Sequence, residues 1–208
     1  MKRNLVALLT VLVVITGFQS GRTIRIDGVM GKEEWQGAEE WLSGDGYKLL
    51  IKKDKETLHG VITSKNKYWA HLYISDNSLI KVMHVSAALG SVEYKRKNKL
   101  WLTTDTFNYQ VRDKVYNSNT ETAMMNYYST HGWVANNNNL GNGKTIEFKV
   151  NIKEWKGPLY FACVMANYDM KLNGFPANLN DNTMLPRLVQ GNAPDSLSFE
   201  PGSWKRIK

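Results

Sequence analysis

Apolar and polar positions alternate along the chain from Tyr47 onward, in short segments rich in β-branched and aromatic residues with Gly, Asn, Asp and Lys between them. A period of two marks strands that turn one face to a core. The pattern predicts strands near 47–53, 58–64, 69–75, 80–87, 91–95, 100–104, 107–113, 122–128, 145–152 and 159–167. So many short strands divided by turn residues predict an all-β fold, an antiparallel β-sandwich of the immunoglobulin-like or jelly-roll-like kind. Long helices are missing from the pattern. One helical turn is expected around Glu33–Glu40, where acidic residues suit the positive end of a helix and Trp35 and Ala38 share a face. The segment Leu159–Ala166 is apolar at both parities, as a central strand covered on both sides requires, and Cys163 within it reads as a buried small hydrophobe. Asn136–Asn139 with Gly141–Gly143 marks a turn or loop. Asn167–Lys208, with four of the five prolines, is expected to form long loops and a final short strand.

The segment Tyr68–Ser75 carries the most specific surface signal. Alternation sends Ala70, Leu72 and Ile74 to one face and Trp69, His71 and Tyr73 to the other. The first set reads as core. The second is an aromatic row with polar tips, and sugar rings, with apolar C–H faces rimmed by hydroxyls, are held by that combination. The competing reading is that the row packs under loops or a second layer. Trp101 and Trp133, near predicted strand ends, complete the candidate ligand-binding set. Trp35, Trp155 and Trp204 are assigned to packing.

Residues 1–20 place the protein. Lys2 and Arg3 precede an apolar run from Leu5 to Val14 and on to Phe18, the order found in a secretory signal peptide. The run is shorter than the about 20 residues of a membrane helix, so no stable membrane span is expected after its removal. Cleavage near Ser20 leaves 21–208, the size of a single domain. An uncleaved N-terminal anchor is the alternative, because Phe18 is bulky for its place before the cut. Export implies a secreted, periplasmic or cell-envelope protein, where disulfides form, yet a sole cysteine cannot make an internal one. Losing Lys2 and Arg3 lowers the formal charge of +8 by two, and the remainder suits anionic glycans, wall polymers or membrane surfaces. It is spread over Lys52–Lys55, Lys95–Lys99 and Lys205–Lys208, as on a solvated surface. Export and the lack of a recognised module argue against nucleic acid.

Catalytic templates are incomplete. His59, His71, His84 and His131 lie in separate segments with no His-Glu-x-x-His helix for zinc, and the Gly-x-Ser-x-Gly elbow of serine hydrolases is missing. Glycoside hydrolysis needs two carboxylates about 5–10 Å apart, and spacing along the chain singles out no pair. Asn178–Asn182, NLNDN, offers oxygens to Ca²⁺ without the twelve-residue calcium loop; a polar surface loop is the plainer reading.

Three motifs occur in a telling order. Asp27-Gly28 suits a tight turn, with Trp35 eight residues after the Asp and Ala38 three further on. Asp54-Lys-Glu-Thr-Leu58-His-Gly-Val-Ile follows, and then Thr145-Ile-Glu147-Phe-Lys-Val-Asn-Ile. Together they resemble the family-nine-like carbohydrate-binding modules, related in fold to the DOMON domains, over most of the chain after residue 20. His59 stands where that family usually has Tyr, and Asn151 leads into Ile152 without the usual Pro. The resemblance implies a sandwich that binds a polysaccharide or oligosaccharide without catalysis, and it leaves open whether a partner enzyme works beside it. It also brings in haem b, which some members of the related fold hold. Met83-His84 supplies both ligand types, but neighbours on a strand point to opposite faces, so either would need a partner such as His131, Met125 or Met165. Core Met and surface His are the simpler reading, and one Cys excludes covalent c-type attachment. The expectation is an exported non-catalytic glycan-binding module; the alternatives are a haem-binding electron-transfer domain and a structural envelope protein with no small ligand.

Overall fold

The computed structural model describes residues 23–44, 46–105, 107–111, 120–137, 143–167, 169, 171–177, 179 and 192–208, with backbone alone at 108–111 and 120. The expected signal peptide, most of Asn178–Asn182 and the end of the 107–113 strand lie outside them. Among the described residues fourteen strands follow in order: β1 (Glu39–Gly44), β2 (Tyr47–Lys53), β3 (Thr57–Ser64), β4 (Tyr68–Ser75), β5 (Leu79–Val85), β6 (Ala88–Lys97), β7 (Leu100–Thr103), β8 (Asn108–Val111), β9 (Trp133–Asn136), β10 (Thr145–Asn151), β11 (Leu159–Asn167), β12 (Leu172–Phe175), β13 (Ser196–Leu197) and β14 (Lys205–Ile207). They form two packed antiparallel sheets, the predicted all-β architecture. The smaller runs β1-β2-β3-β10-β9; the larger runs β12-β11-β4-β5-β6-β7-β13, with β14 also on β11 and β8 also on β6. No helix among the described residues is long and apolar enough to cross a membrane.

The main core lies between the sheets and follows the alternation. Leu49, Leu58, Ile62, Ile146 and Phe148 face inward from one sheet, and Ala70, Leu72, Ile74, Met83, Phe161, Cys163 and Met165 from the other. Phe148 and Phe161 stack across the gap with centroids 5.8 Å apart. Gly60 sits opposite Phe148 in the β3–β10 register, and a Cβ there would collide with the Phe148 ring. Tyr68 ties the layers together by donating its hydroxyl to the Ile62 carbonyl at 2.6 Å. Ala162 and Val164, at the other parity of β11, enter a second apolar cluster outside the larger sheet, so that strand is covered on both sides as expected. Cys163 is fully buried, and burial pushes its thiol pKa up.

One predicted strand is a helix. Residues 122–128 lie inside α1 (Thr120–His131), because Met124, Tyr127, Tyr128 and His131 recur at i, i+3, i+4 and i+7, a helical stripe. Tyr127 is buried, and Met124 and Tyr128 pack against the main core. Gly132 ends the helix at φ 70°, its N–H donating to the Tyr128 carbonyl at 2.8 Å, the left-handed C-terminal cap. Around 33–38, Glu34, Gln36 and Ala38 each donate to the carbonyl three residues back. That run is a chain of tight turns, and β1 begins where it ends.

Candidate functional site

The aromatic row of β4 has the predicted parity, but its face is roofed over. His71 and Tyr73 are fully buried. Tyr73 meets Phe199 and Trp204 edge-on, with centroids 5.4 and 5.7 Å away. Trp101 joins the same outer cluster and donates its indole N–H to the Phe199 carbonyl at 2.7 Å. Trp133 faces the opposite way, into the main core, with its Nε1 3.3 Å from Ser91 Oγ. Trp69 alone of the five is half-buried. The structure thus brings Tyr73 and Trp101 into one cluster, sends Trp133 to another, and leaves no open aromatic platform on these residues. The physical reason is the C-terminal segment: Leu197, Phe199 and Trp204 gain by covering the apolar row.

His71 and His84 stand opposite each other on β4 and β5, with His71 Nε2 3.0 Å from His84 Nδ1. His84 Nε2 lies 2.8 Å from Ser86 Oγ, so both of its ring nitrogens are engaged. Burial, then the neighbouring His71, holds the His84 pKa well below the ordinary imidazole value. Met83 and Met165 lie in the main core, and Met125 is exposed on α1. These residues do not fit a haem: the candidate sulfurs and imidazoles point to different compartments, and His84 has no nitrogen to spare.

The opening segment is pinned by a buried carboxylate. Glu147 accepts the N–H groups of Asp27 at 3.1 Å and Gly28 at 2.9 Å on one oxygen, and the Trp35 indole N–H at 3.1 Å on the other. Burial raises its pKa to about 7, against the pull of those donors. Trp35, Leu50 and Val61 pack beneath, with Ile24, Met30 and Ala38 against them. Segment 23–38 therefore roofs the row Leu50, Val61, Glu147, which are register partners across β2, β3 and β10.

Two residues further along the same strands lies a second row with the same outward parity: Lys52 opposite His59, and His59 opposite Lys149. These three side chains line a cleft of about 780 Å³, shared with Thr23, Ile24, Asp54, Thr57 and Trp41 among others. Two nitrogens in this region, Trp41 Nε1 and His59 Nδ1, are buried and without a hydrogen-bond partner among the described residues. Both belong to this cleft. Burial, with Lys149 and Lys52 adding to it and Asp54 opposing, lowers the His59 pKa to about 4. The imidazole is neutral at neutral pH. Trp41 rests on Phe175 with near-parallel rings 6.2 Å apart.

Another cleft, of about 480 Å³, opens where the sheets part beside the end of α1, lined by Asp76, Lys81, Glu93, His131, Asn151 and Trp155 among others. Its charged groups largely satisfy one another. Lys81 pairs with Glu93 at 3.2 Å and donates to the His131 carbonyl at 2.9 Å, while Asp76 accepts from the backbone of Ser78 and Leu79. The larger cleft keeps polar groups unspent, and it is the candidate site.

Alternation could not reveal it. Lys52 reads as part of a solvated lysine stretch and Lys149 as one position of a strand motif, and only the pairing of β3 with its neighbours β2 and β10 sets them on either side of His59. Comparison with known proteins adds no assignment: no family model, curated protein or solved structure matches the chain.

Proposed function

We propose that this protein is an exported, non-catalytic saccharide-binding module, and that the saccharide lies over Lys52, His59 and Lys149 and not on the Trp69–Tyr73 face. One observation carries the reading. A single cleft of about 780 Å³ combines apolar surface from Trp41, Ile24 and Ile207 with hydrogen-bonding groups from Thr23, Asp54, Thr57 and His59, and two of its nitrogens await a partner. Saccharides present that mixture of C–H faces and hydroxyls, and the cleft falls in the usual range for small-molecule sites, about 300–1,000 Å³. A neutral imidazole both donates and accepts, as a pair of neighbouring hydroxyls does. The likeness to carbohydrate-binding modules rests on the three sequence motifs, Asp27-Gly28 with Trp35, the stretch around Leu58 and the stretch around Glu147. Export rests on the pattern of residues 1–20, and a partner enzyme on the same polymer would gain local concentration from such a module.

The test is a glycan array followed by titration of variants. His59→Gln and Trp41→Phe should each weaken binding by about tenfold, the effect of about 1.4 kcal/mol, while the melting temperature holds within a few degrees. Tyr73→Phe should bind as the parent does. Loss of binding in Tyr73→Phe with none in His59→Gln would return the site to the larger sheet, and an array with no binder would leave a structural envelope protein.

A further inference from the structure

The cleft floor sets two cations about one imidazole. Cross-strand neighbours stand only about 5 Å apart at Cβ, so Lys52 and Lys149 flank His59 closely on both sides. Lys53 and Lys208 border the same cleft. Elsewhere on the surface lysines find carboxylates: Lys48 with Glu40, Lys81 with Glu93, Lys153 with Glu56, Lys205 with Glu39.

Lys52 and Lys149 do not, among the described residues. Lys52 donates to the Glu34 carbonyl at 2.8 Å. Lys149 holds its ammonium 4.4 Å from the centre of the Tyr128 ring. These are neutral partners, weaker than an oxyanion with charge-assisted bonds. The side-chain carboxylates of the cleft lie apart from that pair, Glu39 nearest Lys205 at 3.8 Å and Asp54 on the backbone N–H groups of Glu56 and Thr57 at 2.8 and 2.7 Å. Lys52 and Lys149 thus flank His59 without a carboxylate at ion-pair distance among the described residues, and Asp54 offsets part of their charge.

We infer that the Lys52–His59–Lys149 row seats the carboxylate or sulfate of an acidic saccharide, an inference that rests on the saccharide-binding reading of this cleft. Charge calls for the anion. Size and lining call for what carries it, because a lone inorganic oxyanion would fill a small part of about 780 Å³ and would leave Trp41, Ile24 and Thr57 without a contact. The two ammonium groups take the acidic group from either side, His59 meets it or a neighbouring hydroxyl, and the apolar wall takes the ring.

The experiment uses matched probes on the purified chain: oligogalacturonates with their methyl esters, and chondroitin sulfate oligomers with desulfated ones, within an array that also holds neutral glycans. Acidic members should bind at least tenfold tighter than their neutral counterparts, and the gap should close in 0.5 M salt as exposed charges are screened. Lys52→Gln and Lys149→Gln should each remove most of that gap, so that acidic and neutral members bind nearly alike, and keep the melting temperature. Binding of neutral glycans with no acidic preference overturns this inference and leaves the saccharide reading standing. An array without binders overturns both. Inorganic sulfate competing as tightly as the intact oligomers would show a simple anion pocket, which also overturns it.

Discussion

The outward faces of the two sheets share one alternation and meet different fates. Outside the larger sheet, Tyr73, Val82, Tyr94 and Val164 are buried with Trp101, Leu197 and Trp204, which come from distant parts of the chain. Outside the smaller sheet, segment 23–38 covers Leu50, Val61 and Glu147 and leaves Lys52, His59 and Lys149 lining a cleft at its edge. Aromatic rows attract a roof because covering them removes apolar area from water. An ammonium row resists one, since burying unpaired charge is costly. An outward face becomes a site where its chemistry refuses the cover that the rest of the chain could provide.

The sharpest way to break this comparison is to empty the roof of the larger sheet. Trp101→Ala should cost about 3–5 kcal/mol, the usual penalty for deleting a buried large aromatic, and chemical denaturation measures it. Trp35→Ala, which thins the roof of the smaller sheet, should cost a similar about 3–5 kcal/mol. A loss below about 1 kcal/mol at Trp101 would mean that the aromatic face is open after all.

Protonation separates the two rows of the smaller sheet, with opposite signs. Glu147 titrates in the fold at about 7, raised from 4.5. Its contribution is fully present below pH 4.5 and is lost as pH rises through 7. His59 titrates at about 4, lowered from 6.5. Its contribution is present above pH 6.5 and is lost as pH falls through 4. Subtracting the stability profiles of Glu147→Gln and His59→Gln from the parent's should give curves of opposite slope in this window. Each should span on the order of 1–2 kcal/mol after allowance for solvent. Two curves of the same sign would show that the roofed and the open row do not differ in this way.

Much of the fold was legible because alternation reports parity. β2 and β11 occupy the predicted spans, and Ala70, Leu72 and Ile74 face the core as expected. Parity does not say what lies beyond a face. The roof over Tyr73 comes from residues 197–204, a partnership no local pattern records. α1 was hidden because 122–128 alternates as well as it recurs at three and four, and the deciding signal was Gly132 at its end. The site was illegible for the same reason as the roof: Lys52, His59 and Lys149 sat in predicted strands, and only the register between them makes a cation row. Glu147 was visible as a motif residue, but its grip on the Asp27-Gly28 turn needs a fold to bring the two together.

The smallest effect tests the open row most directly. Lys149→Gln removes a charge that contacts only a π face and stands opposite His59, so little packing is lost. Folding stability should change by no more than about 0.5 kcal/mol, as for surface substitutions away from special features. The imidazole should respond more than the fold. With one of its two cationic neighbours gone, protonated His59 is less disfavoured, and its titration followed by NMR should move upward toward the ordinary histidine value. Burial still opposes the charge, so the return should be partial. Lys52→Gln should move it in the same direction by less, since Lys149 is the larger influence. Asp54→Asn should move it down. Lysine variants that leave the His59 titration unchanged would show that the ammonium groups point away from the cleft floor in solution, and the cation row would then be a feature of register alone.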